Sequence, residues 1–96
     1  MVQRRGTPRR VDANHAEIVS ALKSIGCAVL DLSVVGGGVP DLLVQGVDGT
    51  LVLIEIKVAK GKLNRLQQQW HESWRGSKPV IVRSVSEALA AVNVRI

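Results

Sequence analysis

The chain has 96 residues, 46% of them hydrophobic and 22% charged, the proportions of one small globular domain rather than of a disordered chain. Its apolar runs are short and broken by charges, which excludes a membrane-spanning helix, and no apolar stretch follows the first arginines as a signal peptide requires. The single cysteine, Cys27, rules out an internal disulfide and a thiolate metal cluster, so a reducing, cytoplasmic setting is expected.

Thirteen basic residues against eight acidic ones give a net charge of +5. Arg4, Arg5, Arg9 and Arg10 supply nearly all of that excess, and without them the net is +1. Residues 1–11 therefore read as a disordered basic tail and 12–96 as a single domain. A basic tail attracts DNA through counterion release, without reading its sequence. A solubilising end is the plainer alternative. A domain this small buries about 60–65% of its unfolded surface, so its core is modest and a second copy would help complete it.

The first helix starts after Asp12 or Asn14, either of which can cap it. Ile18, Val19, Leu22 and Ile25 recur at helical spacing, and Gly26 ends the helix as a left-handed residue. Cys27 to Val35 is apolar and β-branched, a first strand broken by Gly36-Gly37-Gly38. Val39 to Val44 is a second strand, with Pro40 near its start, where a missing N–H costs least. Asp48-Gly49 turns the chain, and Leu51 to Val58 is a third strand paired with the second as a hairpin.

A basic loop with Lys60, Gly61 and Lys62 follows. Asn64 and Gln67 have the spacing of a capping box for a second helix. Leu63, Leu66, Trp70 and Trp74 form its apolar stripe, and Gly76 closes it. Pro79 to Arg83 is a fourth strand. Ser84 and Glu87 open a last short helix that runs through Val92. The fourth strand is reached through a helix, so part of the sheet is parallel and the class is α/β with a mixed sheet.

Two strands carry charges where the pattern wants apolar residues. Asp41 sits in Val-Pro-Asp-Leu-Leu-Val, and Glu55 and Lys57 sit in Leu-Val-Leu-Ile-Glu-Ile-Lys-Val. Side chains alternate faces along a strand, so Glu55 and Lys57 share a face with Leu51 and Leu53, opposite an apolar face of Val52, Ile54, Ile56 and Val58. Folding at Asp48-Gly49 brings Asp41 almost opposite Glu55. Like charges directly opposed destabilise a sheet. A divalent cation resolves the conflict, and two carboxylates with a backbone carbonyl and waters suit Mg²⁺ or Mn²⁺. Lys57 then faces the same ion, placed to hold a water or to meet charge on a phosphate. The bland reading is an Asp41–Lys57 or Glu55–Lys57 ion pair without catalytic meaning.

Pro-Asp, thirteen residues, then Glu-Ile-Lys resembles the signature of the PD-(D/E)XK nucleases. The blocks Gly-Gly-Gly-Val-Pro-Asp-Leu, Leu-Ile-Glu-Ile-Lys, Lys-Leu-Asn-Arg-Leu-Gln and Val-Arg-Ser, in that order from about Asn14 to Val92, resemble the virus-type replication-repair nuclease domain, VRR-NUC. The resemblance implies a restriction-endonuclease-like αβββαβ core with a four-stranded mixed sheet. It implies a structure-selective endodeoxyribonuclease in which Asp41, Glu55 and the Ile56 carbonyl hold the metal and Glu17 adds a further acid. Lys57 would activate water. Gln67, or Gln68 in another register of the glutamine run, would complete the site. The helix opens with Asn64-Arg65 where the family has Thr-Pro. Stand-alone members are expected to be homodimers acting on branched DNA such as four-way junctions, and a short free-standing version fits a phage origin.

Other residues carry two readings. Gly37, in the glycine run, lets a DNA backbone approach or merely bends a loop. Lys60, Lys62 and Arg65 touch phosphates or face water. Trp70 and Trp74 are read as core or dimer packing ahead of base stacking. His15 is read as a surface residue and Cys27 as a small buried hydrophobe.

Overall fold

The computed structural model describes residues 13–92. The elements are α1 (His15–Ser24), β1 (Ala28–Asp31), β2 (Leu42–Gln45), β3 (Leu51–Ile56), α2 (Arg65–Ser73), β4 (Val80–Val82) and α3 (Val85–Ala91). Their order is the one expected, and the sheet runs β1-β2-β3-β4. β1–β2 and β2–β3 are antiparallel and β3–β4 is parallel, because a crossover through α2 delivers β4 in the direction of β3.

One face of the sheet is closed. Leu42, Val44, Ile54, Ile56 and Val82 pack against Ile18 and Leu22 of α1 and Ala88 of α3, with Cys27 and Val92 at the margin. Cys27 is buried as expected, and burial pushes its thiol pKa up. α1 ends in a Schellman motif: Cys27 N–H donates to the Leu22 carbonyl, Gly26 N–H donates to Lys23, and Gly26 takes φ +98°. α2 lies over the opposite face and has no fully buried residue.

The strands are shorter than the apolar runs. β1 stops at Asp31, not Val35, because the Asp31 carboxylate takes the Ser33 N–H and hydroxyl and bends the chain. Val34 and Val35 are left in an exposed turn. β2 begins at Leu42, not Val39. Pro40 has no N–H, and Asp41 uses its side chain in place of a ladder bond, accepting from Ile56 N–H at 2.8 Å. β3 ends at Ile56, not Val58. Beyond it Gly61 N–H closes a turn on the Val58 carbonyl, and the Arg83 guanidinium holds the Val58 and Gly61 carbonyls. β4 loses Pro79 and Arg83 from the expected strand.

Two caps differ from expectation. Asn14 occupies the N-cap of α1 but makes no capping bond. Its amide donates instead to the Lys57 and Arg83 carbonyls, tying the helix start to the ends of β3 and β4. Asp12 lies outside the described residues. At α3, Ser84 caps Glu87 N–H, but the Glu87 carboxylate reaches one residue further back, to Arg83 N–H. At α2 the full box forms between Asn64 and Gln67.

Candidate metal and catalytic site

The β2–β3 register pairs Leu42 with Ile54, which sets Asp41 across from Glu55. The two acidic residues therefore stand opposite each other at one end of the hairpin. Glu55 is 1% exposed, on the face opposite Ile54 and Ile56. A charge taken that far out of water needs compensating partners. α2 supplies two. Gln67 Nε2 donates to Glu55 Oε2 at 3.2 Å, and His71 Nε2 lies 3.8 Å from Glu55 Oε1. Gln68 turns back to the Leu63 carbonyl at 2.9 Å, so Gln67 is the glutamine that reaches the acid.

Lys57 is two residues beyond Glu55, half-buried, on the same face. Its backbone is fixed on both sides. The N–H donates to the Val82 carbonyl at 2.9 Å, and its carbonyl accepts from Asn14. Its ammonium lies near enough to His71 to affect it. Burial first, then Lys78 and Lys57, lower the His71 pKa below its ordinary value. His71 is the residue that the sequence reading missed. The available signal was its spacing, since four residues after Gln67 is the same helix face one turn on.

Glu17 is exposed on the first turns of α1, the helix whose start Asn14 pins to Lys57. Among the described residues no group of three or more His, Cys, Asp or Glu side chains lies close enough to share a metal ion. The structure thus sets Asp41 opposite Glu55 but does not gather Glu17 into a three-acid cluster. The donor chemistry at the hairpin end still fits a hard divalent cation. Within one strand residue the N–H and C=O point to the same side. The Ile56 carbonyl accordingly faces the edge where Asp41 accepts its N–H. Two carboxylates and a carbonyl are the oxygen donors that Mg²⁺ and Mn²⁺ prefer, with water completing the shell.

The expected DNA contacts surround this point unevenly. Lys60 and Lys62 are exposed on the loop that Arg83 braces, and Arg65 is exposed at the first turn of α2. Gly37 has open space around it at φ +68°. Gly38, at φ +85°, is the glycine that the packing requires: a Cβ there would collide with the Leu66 carbonyl. The glycine run thus lets α2 approach, a packing role beyond both a DNA approach and a loop bend. Arg4, Arg5, Arg9 and Arg10 lie outside the described residues.

His15 is not the surface residue expected. It is 8% exposed, and its Nε2 meets Asp31 Oδ2 at 2.9 Å. Burial would raise the Asp31 pKa, but bonds from Ser33 and His15 outweigh it and hold the group at about 2. Trp70 and Trp74 are stacked, with ring centroids 4.6 Å apart. They are not core residues. With Leu43, Leu51 and Leu53 they line a cleft of about 650 Å³ between α2 and the sheet.

A solved structure described as a VRR_NUC domain aligns with this chain at a TM-score of 0.66, covering 85% of this chain and 97% of that one at 24% sequence identity. The chain has the VRR_NUC fold. The match bears out the α/β architecture that the motif blocks implied. No family model and no curated protein matches the sequence. Within this fold the Asp41–Glu55 pair sits on the open face of the sheet, under α2. No helix among the described residues is long and apolar enough to cross a membrane.

Proposed function

We propose that this chain is a Mg²⁺- or Mn²⁺-dependent endonuclease that hydrolyses phosphodiester bonds in DNA. The observation that carries the reading is Glu55: a carboxylate 1% exposed, across the hairpin from Asp41, with Lys57 beside it and Gln67 donating to it. A structural ion pair needs no second acid opposite it. A site for a cation and a phosphate does.

In this reading Asp41, Glu55 and the Ile56 carbonyl would hold the cation, and Glu17, exposed on the first turns of α1, would add a further acid toward it. The cation supplies a Lewis acid for the phosphate and lowers the pKa of water. Lys57 orients the attacking water and meets the charge that develops on the phosphate oxygens. Gln67 keeps Glu55 in place. Lys60, Lys62, Arg65 and the arginines of residues 1–11 contact the DNA backbone, and Gly37 lets it come close. The DNA is read by shape, as the small surface suits, with branched DNA such as a four-way junction as substrate. The chain acts as a homodimer in the cytoplasm. The cleft under Trp70 and Trp74 supports the dimer, because a second copy would cover apolar surface that α2 leaves open.

The test is cleavage of duplex, single-stranded, flap and four-way-junction DNA with Mg²⁺, Mn²⁺, Ca²⁺ or EDTA, using wild type, Asp41→Asn and Glu55→Gln. Metal-dependent cutting lost in both variants supports the reading. Wild-type binding without cutting in any metal overturns it in favour of a non-catalytic DNA-binding module.

A further inference from the structure

The capping box of α2 does more than start a helix. Asn64 Oδ1 accepts from Gln67 N–H at 2.9 Å, and Gln67 Oε1 accepts from Asn64 N–H at 2.9 Å. Oxygen and nitrogen share one carbon in a primary amide, so fixing Oε1 on the cap fixes where Nε2 points. It points at Glu55 Oε2, 3.2 Å away. Turning the amide over would set an NH₂ against the Asn64 N–H and an oxygen against a carboxylate, which loses both bonds.

A capping box accepts Glu or Gln at this position with equal ease. Only Gln has a donor left over. Glu at 67 would keep the cap and press a second carboxylate on a buried one. The choice of Gln is therefore explained by the site and the choice of Asn64 by the cap, and one amide serves both. We infer that Asn64 is a positioning residue: through the Gln67 amide it sets the orientation of the Glu55 carboxylate, so the folding of the α2 N-terminus and the assembly of the site are a single event. His71, one turn later and near the other Glu55 oxygen, sits where the same clamp would close. The functional meaning of this relay rests on the nuclease reading, whereas its geometry does not.

The test uses the full chain and two independent readouts. The first is the side-chain amide resonance pair of Gln67 by ¹⁵N NMR. Glu55→Gln and Asn64→Ala should each move it, and Asn64→Ser, which restores a capping oxygen, should return it toward its wild-type position. The second is Mn²⁺ binding by calorimetry. Asn64→Ala should weaken it roughly 10-fold or more, the usual effect of losing a residue that orients a ligand. Asn64→Ser should recover most of that loss. The proposal is overturned if Asn64→Ala lowers the melting temperature yet leaves the Gln67 resonances and the Mn²⁺ affinity at wild-type values. It is also overturned if Asn64→Ser fails to rescue while restoring helix content. A wild-type chain that binds no Mn²⁺, with Gln67 responding as expected, supports the relay and overturns the nuclease reading instead.

Discussion

The two faces of the sheet are built on opposite terms. On the face that meets α1 and α3, Leu42, Val44, Ile54, Ile56 and Val82 are almost wholly buried. On the face under α2, Leu51 is largely exposed, Leu53 is half-buried, and the one fully buried side chain of β3 is an acid, Glu55. The first face carries stability by excluding water. The second carries polar chemistry and leaves apolar surface open around it. One strand with period-two alternation serves both, so a substitution one residue along β3 changes which property is lost.

Ile54→Ala should produce the largest loss of stability, about 2–5 kcal/mol, since it opens a cavity among side chains that cannot collapse. Leu53→Ala, its neighbour on the other face, should cost only about 1 kcal/mol. Urea unfolding of both variants checks the contrast. Equal losses would break it and would mean that the α2 face is covered in solution, as a second copy would do.

Lys57→Ala should separate activity from stability on that second face. Cleavage should fall at least about 100-fold, within the range for loss of a group that handles a proton or a developing charge, while the unfolding midpoint stays near wild type. A variant that unfolds without losing its rate would place Lys57 in the fold instead of the chemistry. Gly38→Ala tests how α2 is held over the acids. The added Cβ meets the Leu66 carbonyl at a backbone angle that side chains rarely adopt, and the cost should be about 1–3 kcal/mol. The rate should fall further than stability alone accounts for, because α2 carries Gln67 to Glu55.

The fold was legible because its signals were local and concordant: helical spacing from Ile18 to Ile25, the Asp48-Gly49 turn, and the capping box at Asn64. The pairing of Asp41 with Glu55 followed from counting residues to that turn. Strand ends were not legible, because side chains decided them. Asp31 bends β1, Asp41 replaces a ladder bond, and Arg83 holds the loop after β3, each through a contact distant in sequence or specific to rotamer. The same reason hid Asn14, whose amide leaves its own helix for carbonyls 43 and 69 residues away. His71 was hidden differently. Its spacing from Gln67 was visible, but its role depends on which way α2 is turned, and that is set by Gly38 and the cap.

The smallest expected effect concerns the closed face at its margin, where His15 and Asp31 join α1 to β1. Asp31 has its pKa held at about 2, below the ordinary 3.8 of an aspartate. A carboxyl whose folded pKa is depressed adds stability that is fully present above its unfolded pKa and is lost as pH falls through the folded one. The window is therefore between about pH 4 and pH 2. The Asp31 side chain is 48% exposed, so solvent screens the contribution to about 1 kcal/mol or less. Asp31→Asn should flatten the acid limb of the stability curve in that window and leave DNA cleavage near wild type, since the pair lies outside the Asp41–Glu55 site. Urea midpoints taken from pH 5 down to pH 2 measure it. An acid limb unchanged by the substitution would locate the acid-sensitive carboxylates on the α2 face and remove this pair from the stability of the closed one.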